Sequence, residues 1–117
     1  MQDFKKLEVW NDGIEFCAKI YEMTKKFPDE ERYGLTSQLR RASASISTNI
    51  AEGAGRRTPA DFGQFLYMAM GSVKECETLL ILAQKLGYLS QEDSGKLSER
   101  LDIVAKKLNK FIQSVKA

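Results

Sequence analysis

The chain has no histidine, and its 117 residues include only two cysteines and two prolines. Without histidine it cannot supply the Glu-x-x-His pairs of di-metal helical bundles. Cys17 and Cys76 likewise lack the imidazole partner that activates a cysteine nucleophile. Both fall in apolar helical patterns, which marks them as small hydrophobes, rules out a disulfide framework and points to a reducing cytoplasm. No apolar run approaches the ~18 residues of a membrane span, and none follows Lys5 and Lys6 that could serve as a signal peptide. Strand-like alternation is missing too, as is any repeat beyond heptads. Neither an aromatic-plus-basic segment of the RNA-binding-sheet kind nor a pair of carboxylates in acid and base roles can be found, Glu75 and Glu77 included. The expectation is a protein that is not an enzyme and holds no metal or cofactor. Charge of one sign is also scarce. Eighteen basic residues against sixteen acidic leave a net +2, so where the charges lie must decide what they do.

What the chain does have is helical period. Pro28, Pro59 and the glycines at 34, 53, 55 and 87 divide one domain, residues 1–117, into four helical segments at roughly 7–27, 36–54, 59–86 and 91–115. The first carries two apolar seams. Leu7, Trp10, Ile14, Cys17, Tyr21 and Thr24 recur at heptad steps, and Val9, Phe16, Ile20, Met23 and Phe27 run beside them. So wide an apolar face suits either a deeply sunk helix or one that meets another copy of the chain.

The second segment places Leu35, Leu39, Ala42, Ile46, Ile50 and Gly53 on a core side. Opposite them, Ser37, Ala44, Thr48 and Ala51 form a strip of small side chains on which another backbone could approach closely. Asn49 and Glu52 are expected to satisfy polar groups at a helix junction, because a buried amide left unpaired costs about 1–3 kcal/mol. The following "EGAGRR" resembles a phosphate loop, but no strand precedes it and no Gly-Lys-Ser/Thr follows. Its glycines are better explained as a helix stop, Gly53 or Gly55 taking the left-handed conformation.

Thr58-Pro59-Ala60-Asp61 is a start signal, with a capping hydroxyl, proline at the first helical position and an aspartate to complete the box. Phe62, Leu66, Ala69, Val73, Cys76, Leu80 and Ala83 then hold a heptad up to Gly87. The Leu79-Leu80-Ile81-Leu82 run reads as core plus interface. Ser90-Gln91-Glu92-Asp93 repeats the cap, and Leu97, Leu101, Val104, Leu108, Phe111 and Val115 form the cleanest seam.

Four such segments on short loops make an all-α, antiparallel up-down-up-down four-helix bundle. That topology gathers Lys5, Lys6, Arg56, Arg57, Lys110 and Lys116 at one end, with two helix N-termini beside them. The other end, with Asp29, Glu30, Glu31, Glu92 and Asp93 against Lys25, Lys26 and Arg32, is expected to be neutral to acidic.

Phe27-Pro28, Glu31-Arg32-Tyr33-Gly34-Leu35, Gln38-Leu39-Arg40-Arg41-Ala42, Ser45-Ile46 and Asn49-Ile50-Ala51-Glu52-Gly53 closely resemble a small bacterial family encoded in intervening sequences of 23S ribosomal RNA genes. Phe65-Leu66 and Gly71-Ser72 extend the likeness, which covers nearly the whole chain. It implies antiparallel four-helix bundles associated as homopentamers, which fits the double seam and the small strip around Ala44 and Thr48. A related branch, the accessory proteins of diversity-generating retroelements, implies nucleic-acid binding by basic rings and a reverse transcriptase as partner. This chain is far less basic. Arg40, Arg41, Arg56 and Arg57 match basic positions of the motif, the first two suited equally to ion pairs between subunits. Two functions follow as expectations: binding of RNA or DNA through Arg56, Arg57, Lys5, Lys6 and Lys110, or a ring-forming scaffold for a partner protein. Neither involves a membrane.

Overall fold

The computed structural model describes residues 3–116, without the side chain of Lys116. Its elements are a 3₁₀ turn at Phe4–Lys6, α1 (Glu8–Thr24), a second 3₁₀ turn at Asp29–Glu31, α2 (Leu35–Ala54), α3 (Pro59–Lys85) and α4 (Gln91–Lys116). No strand occurs among the described residues. Each helix backbone lies close to its neighbours in the chain and α4 closes against α1, while the diagonal pairs α1–α3 and α2–α4 meet only through the side chains of the shared core. Short connections make successive helices antiparallel, so the four form a square bundle of 43 × 24 × 20 Å.

The ends of α3 follow from its sequence. Thr58 Oγ1 accepts the Asp61 N–H at 3.1 Å, with Pro59 at the first helical position where its missing N–H costs nothing. At the other end Gly87 has φ +81°. The Tyr88 and Gly87 N–H groups donate to Ala83 and Gln84 carbonyls at 2.9 and 3.0 Å, which closes the helix in a Schellman motif. Ser90 then caps α4 by accepting the Asp93 N–H at 3.0 Å. The predicted seam of α3 is buried throughout, from Phe62 to Ala83. In α4 the seam is joined by Ile112, while Phe111 and Val115 are only half-buried.

In α1 the structure chooses between the two seams. Val9, Phe16 and Ile20 enter the core together with Gly13 and Thr24. Ile14 and Tyr21 of the other seam are 42% and 44% exposed, and Trp10 and Cys17 are half-buried. Gly13 explains the choice, since a Cβ there would collide with Ser47 Oγ of α2. The side of α1 that presses on α2 is therefore the one centred on glycine, and Ser47 completes the contact by donating to the Trp10 carbonyl at 2.9 Å.

Helix α2 contains four serines, each costing about 0.5 kcal/mol of helix propensity relative to alanine. Against that total of about 2 kcal/mol stand Leu39, Ile46 and Ile50, all fully buried and each contributing about 1.5–3 kcal/mol. Packing decides. Two of the serines, Ser43 and Ser47, are themselves buried and hydrogen-bonded, and no buried side-chain polar atom among the described residues lacks a partner.

The expected left-handed stop at the end of α2 does not occur. Gly53 lies inside the helix and Gly55 has an ordinary φ of −86°; among the described residues only Gly87 has positive φ. Gly53 instead serves close approach. A Cβ there would stand 2.8 Å from Phe62 Cδ1 and 2.8 Å from Phe65 Cβ, closer than carbon atoms can pack.

Candidate nucleic-acid interface

The end of the bundle where α2 leads into α3 is built on aromatic side chains. With Gly53 pressed on Phe62 and Phe65, the chain crosses from α2 to α3 on the outside through Gly55, Arg56, Arg57 and Thr58, all exposed. The Arg56 guanidinium lies 4.5 Å from the centroid of the Phe65 ring, a cation–π contact that orients it without an acid. Phe62 meets Phe111 edge to face at 5.3 Å, which brings the last turns of α4, and Lys110 with them, to this end. The start of the chain is held there by the Phe4–Trp10 ring pair at 5.1 Å and by Asn11 Nδ2, which donates to the carbonyls of Lys5 and Leu7 at 3.1 and 3.0 Å.

The antiparallel topology thus gathers Lys5, Lys6, Arg56, Arg57 and Lys110. All five are exposed, and none forms an ion pair among the described residues. The sixth cation expected here, Lys116, has its side chain outside the described residues. A seventh, Lys107, was not anticipated. Its ammonium sits 2.6 Å from Asp12 and 2.7 Å from Glu8, clasping α4 to α1. The hydrogen bond to Asp12, and then that to Glu8, raises its pKa above the usual lysine range. It also engages both acids with a single positive charge, and Lys110 lines the same surface hollow as Glu8 and Lys107.

The residues assigned to interface or structural roles are distributed differently. Arg40 bonds within its own chain: Nε donates to Thr24 Oγ1 at 2.9 Å, a second nitrogen to the Tyr21 carbonyl at 3.3 Å, and the guanidinium lies 4.6 Å from the Tyr21 ring centroid. Arg41 pairs with Glu75 of α3 at 2.9 Å. Asn49 donates to the Ser45 carbonyl one turn earlier at 2.8 Å, so its amide is satisfied within α2 and spans no junction. Glu52 is exposed, and its carboxylate forms no ion pair among the described residues. Ala44 is half-buried and Thr48 exposed, on the outer side of α2.

The opposite end carries the expected acids, Asp29, Glu30 and Glu92 exposed and Asp93 half-buried, and it also holds a local arginine-rich hollow that the expectation did not include. Glu31 is engaged twice there, accepting the Leu35 N–H at 3.0 Å to cap α2 and the Tyr88 hydroxyl at 3.0 Å from the α3–α4 turn. That bond to a carboxylate pushes the Tyr88 phenol above its ordinary pKa. Beside it opens a cavity of about 400 Å³ walled by Arg32, Arg40, Arg41, Tyr21 and Tyr33, with no carboxylate in its lining. Counting charges could not find it, because the arginines belong to a turn and a helix that only the fold sets side by side. The signal available was the Arg32-Tyr33 and Arg40-Arg41 pairs, eight residues apart in the chain.

Cys76 is fully buried and its thiol is pushed up to about 12, first by burial and then by Glu75, so its thiolate is scarce at neutral pH. Among the described residues, no group of three or more His, Cys, Asp or Glu side chains could hold a metal ion. No helix among them is long and apolar enough to cross a membrane.

Residues 5–110 match a family model described as "23S rRNA-intervening sequence protein". Among solved structures, a protein of unknown function from the S23 ribosomal protein family of Bacteroides thetaiotaomicron superposes with a TM-score of 0.83 at 25% sequence identity, covering 90% of this chain and 95% of that one. No curated protein matches.

Proposed function

Since the chain belongs to the 23S rRNA-intervening sequence protein family, we propose that it is a non-catalytic, cytoplasmic helical bundle that binds structured RNA through Arg56, Arg57, Lys5, Lys6 and Lys110. One observation carries this reading. The five cations, from three separate stretches of chain, lie exposed at one end without a carboxylate partner among the described residues, while the nearby acids Glu8 and Asp12 are held by Lys107. Free guanidinium and ammonium groups are what a phosphate backbone binds, and such contacts release counterions. The first turn of α3, beside Arg56 and Arg57, adds the positive partial charge of unpaired helix N–H groups.

Copies of the chain multiply this end. The outward seam of α1, with Ile14 and Tyr21 over 40% exposed, and the adjoining small side chains Ala44 and Thr48 offer a surface for self-association, five copies being the number the family resemblance implies. Light scattering at two concentrations tests the association, and a mass fixed at that of one chain would refute it.

Titrating RNA binding against salt tests the main reading. Measurable affinity at low salt that falls steeply as salt rises is the expected result, and Arg56→Glu with Arg57→Glu should weaken binding at least tenfold and flatten the dependence. Absence of binding at low salt, or binding indifferent to salt, would reject it. A ring-forming scaffold for a partner protein is the second reading. It is favoured by Ile81 and Leu82 of α3 and Leu86 just after it, which are 58%, 43% and 50% exposed, and by Ile103 of α4 at 49%. It predicts no salt-dependent RNA binding at all.

A further inference from the structure

The arginine-walled cavity between the end of α1 and the start of α2 has no part in the proposed RNA-binding end. Its chemistry is more organised. Arg40 is fixed from behind by Thr24 and the Tyr21 carbonyl, so its remaining N–H groups keep a set direction. Arg41 is held by a largely exposed ion pair with Glu75, a contact weak enough to share its guanidinium with another anion. Arg32 has no acid partner among the described residues. Two carboxylates beside the cavity's arginines, Glu31 next to Arg32 in the chain and Glu75 against Arg41, are already engaged, while Asp29 and Glu30 are exposed.

Two further observations point to a ligand. Thr36, in the first turn of α2, lines the cavity and is only 8% exposed, yet its hydroxyl has no hydrogen-bond partner among the described residues. Because no fully buried side-chain polar atom among those residues goes unpaired, that hydroxyl keeps a sliver of solvent access, and its residue forms part of the cavity wall. Tyr33 is 90% exposed. One side of its ring faces the Arg32 guanidinium 5.7 Å from the centroid, and the rest is bare. An aromatic ring left in water beside three guanidinium groups suits a ligand that carries both a flat π-face and a phosphate. A volume of about 400 Å³ is within the range of small-ligand sites.

We propose that this cavity binds a single nucleotide unit, its phosphate on Arg32, Arg41 and the Thr36 hydroxyl and its base stacked on the open face of Tyr33. Arginine supplies the paired donors that match phosphate oxygens, and stacking on tyrosine accepts any base. The unit belongs either to a free nucleotide or to an RNA strand.

Adenosine 5′-monophosphate, inorganic phosphate and short RNAs with a 5′-phosphate or a 5′-hydroxyl, titrated into the full chain and followed by NMR at Tyr33 and Thr36, test the assignment. The mononucleotide should shift both residues and bind at least fivefold tighter than phosphate alone. Tyr33→Ala should remove that advantage and leave phosphate binding intact; Arg32→Glu should weaken both at least tenfold. Both side chains are exposed, so the variants keep the fold. Preference for 5′-phosphorylated RNA identifies a strand end as the source, equal binding of the two RNAs an internal unit, and binding of the mononucleotide alone a free nucleotide. The proposal is overturned if neither resonance moves, if Tyr33→Ala leaves mononucleotide affinity unchanged, or if a glutamate-rich peptide shifts the same residues at lower concentration. Arg56→Glu with Arg57→Glu should leave the mononucleotide titration within twofold of the original, which separates failure here from failure of the RNA-binding end.

Discussion

The two ends of the bundle hold similar cations in opposite ways. At the α2–α3 end, backbone and aromatic rings are packed tightly while the charges above them are loose: Lys5, Lys6, Arg57 and Lys110 are exposed with no ion-pair partner among the described residues, and Arg56 rests on a ring. At the α1–α2 end two charged groups are themselves part of the framework, Arg40 bonded to a buried threonine and Glu31 joining two turns. The difference teaches that the number of charges at an end says little about its role. Loose cations suit a polymer of variable shape, whereas fixed ones suit a ligand of defined shape.

Substitutions can break this contrast, the largest effect coming from the packed floor of the loose end. Gly53→Leu forces a side chain into Phe62 and Phe65 and should destabilise the fold by about 3 kcal/mol, read from the urea midpoint. Next comes the matched pair Arg40→Ala and Arg57→Ala. The first strips two hydrogen bonds and exposes the Thr24 hydroxyl, at a cost of about 1–3 kcal/mol; the second should stay within about 0.5 kcal/mol. Equal effects would erase the distinction between the ends. Removing the cap and bridge with Glu31→Ala should cost about 1–2 kcal/mol.

The smallest effect is alkaline. Tyr88 and Lys107, one at each end, both bind their protons more tightly folded than unfolded. Each therefore contributes stability that is complete below its unfolded pKa, about 10 for tyrosine and 10.4 for lysine, and that is lost as pH rises through the higher folded value. Tyr88→Phe and Lys107→Met should each flatten the fall of stability above about pH 10, as followed by thermal melts. A slope unchanged in both would mean that the two clasps do not form.

Much of the fold was legible because helix period and capping act locally. The α3 seam from Phe62 to Ala83, the Thr58 and Ser90 caps and the stop at Gly87 each depend on residues within a few positions of one another. What was not legible depended on a second helix. Which α1 seam enters the core turns on Gly13 meeting Ser47, 34 positions away in the sequence. Gly53 was assigned to a local task, ending a helix, although its use is to admit Phe62 and Phe65. The cations of the loose end were readable from topology alone, since each sits beside a helix terminus. The cavity was not, because the positions of Arg32, Arg40 and Tyr21 relative to one another are set by the crossing of α1 over α2.

Glu31 has one consequence beyond capping. Its two oxygens fasten the first amide of α2 and the phenol that follows α3, so neither turn can fray without releasing the other. Local opening at this end is therefore a concerted event, and amide hydrogens around Leu35 and Leu89 should exchange with deuterium as one cooperative unit, although the two are 54 positions apart in the chain.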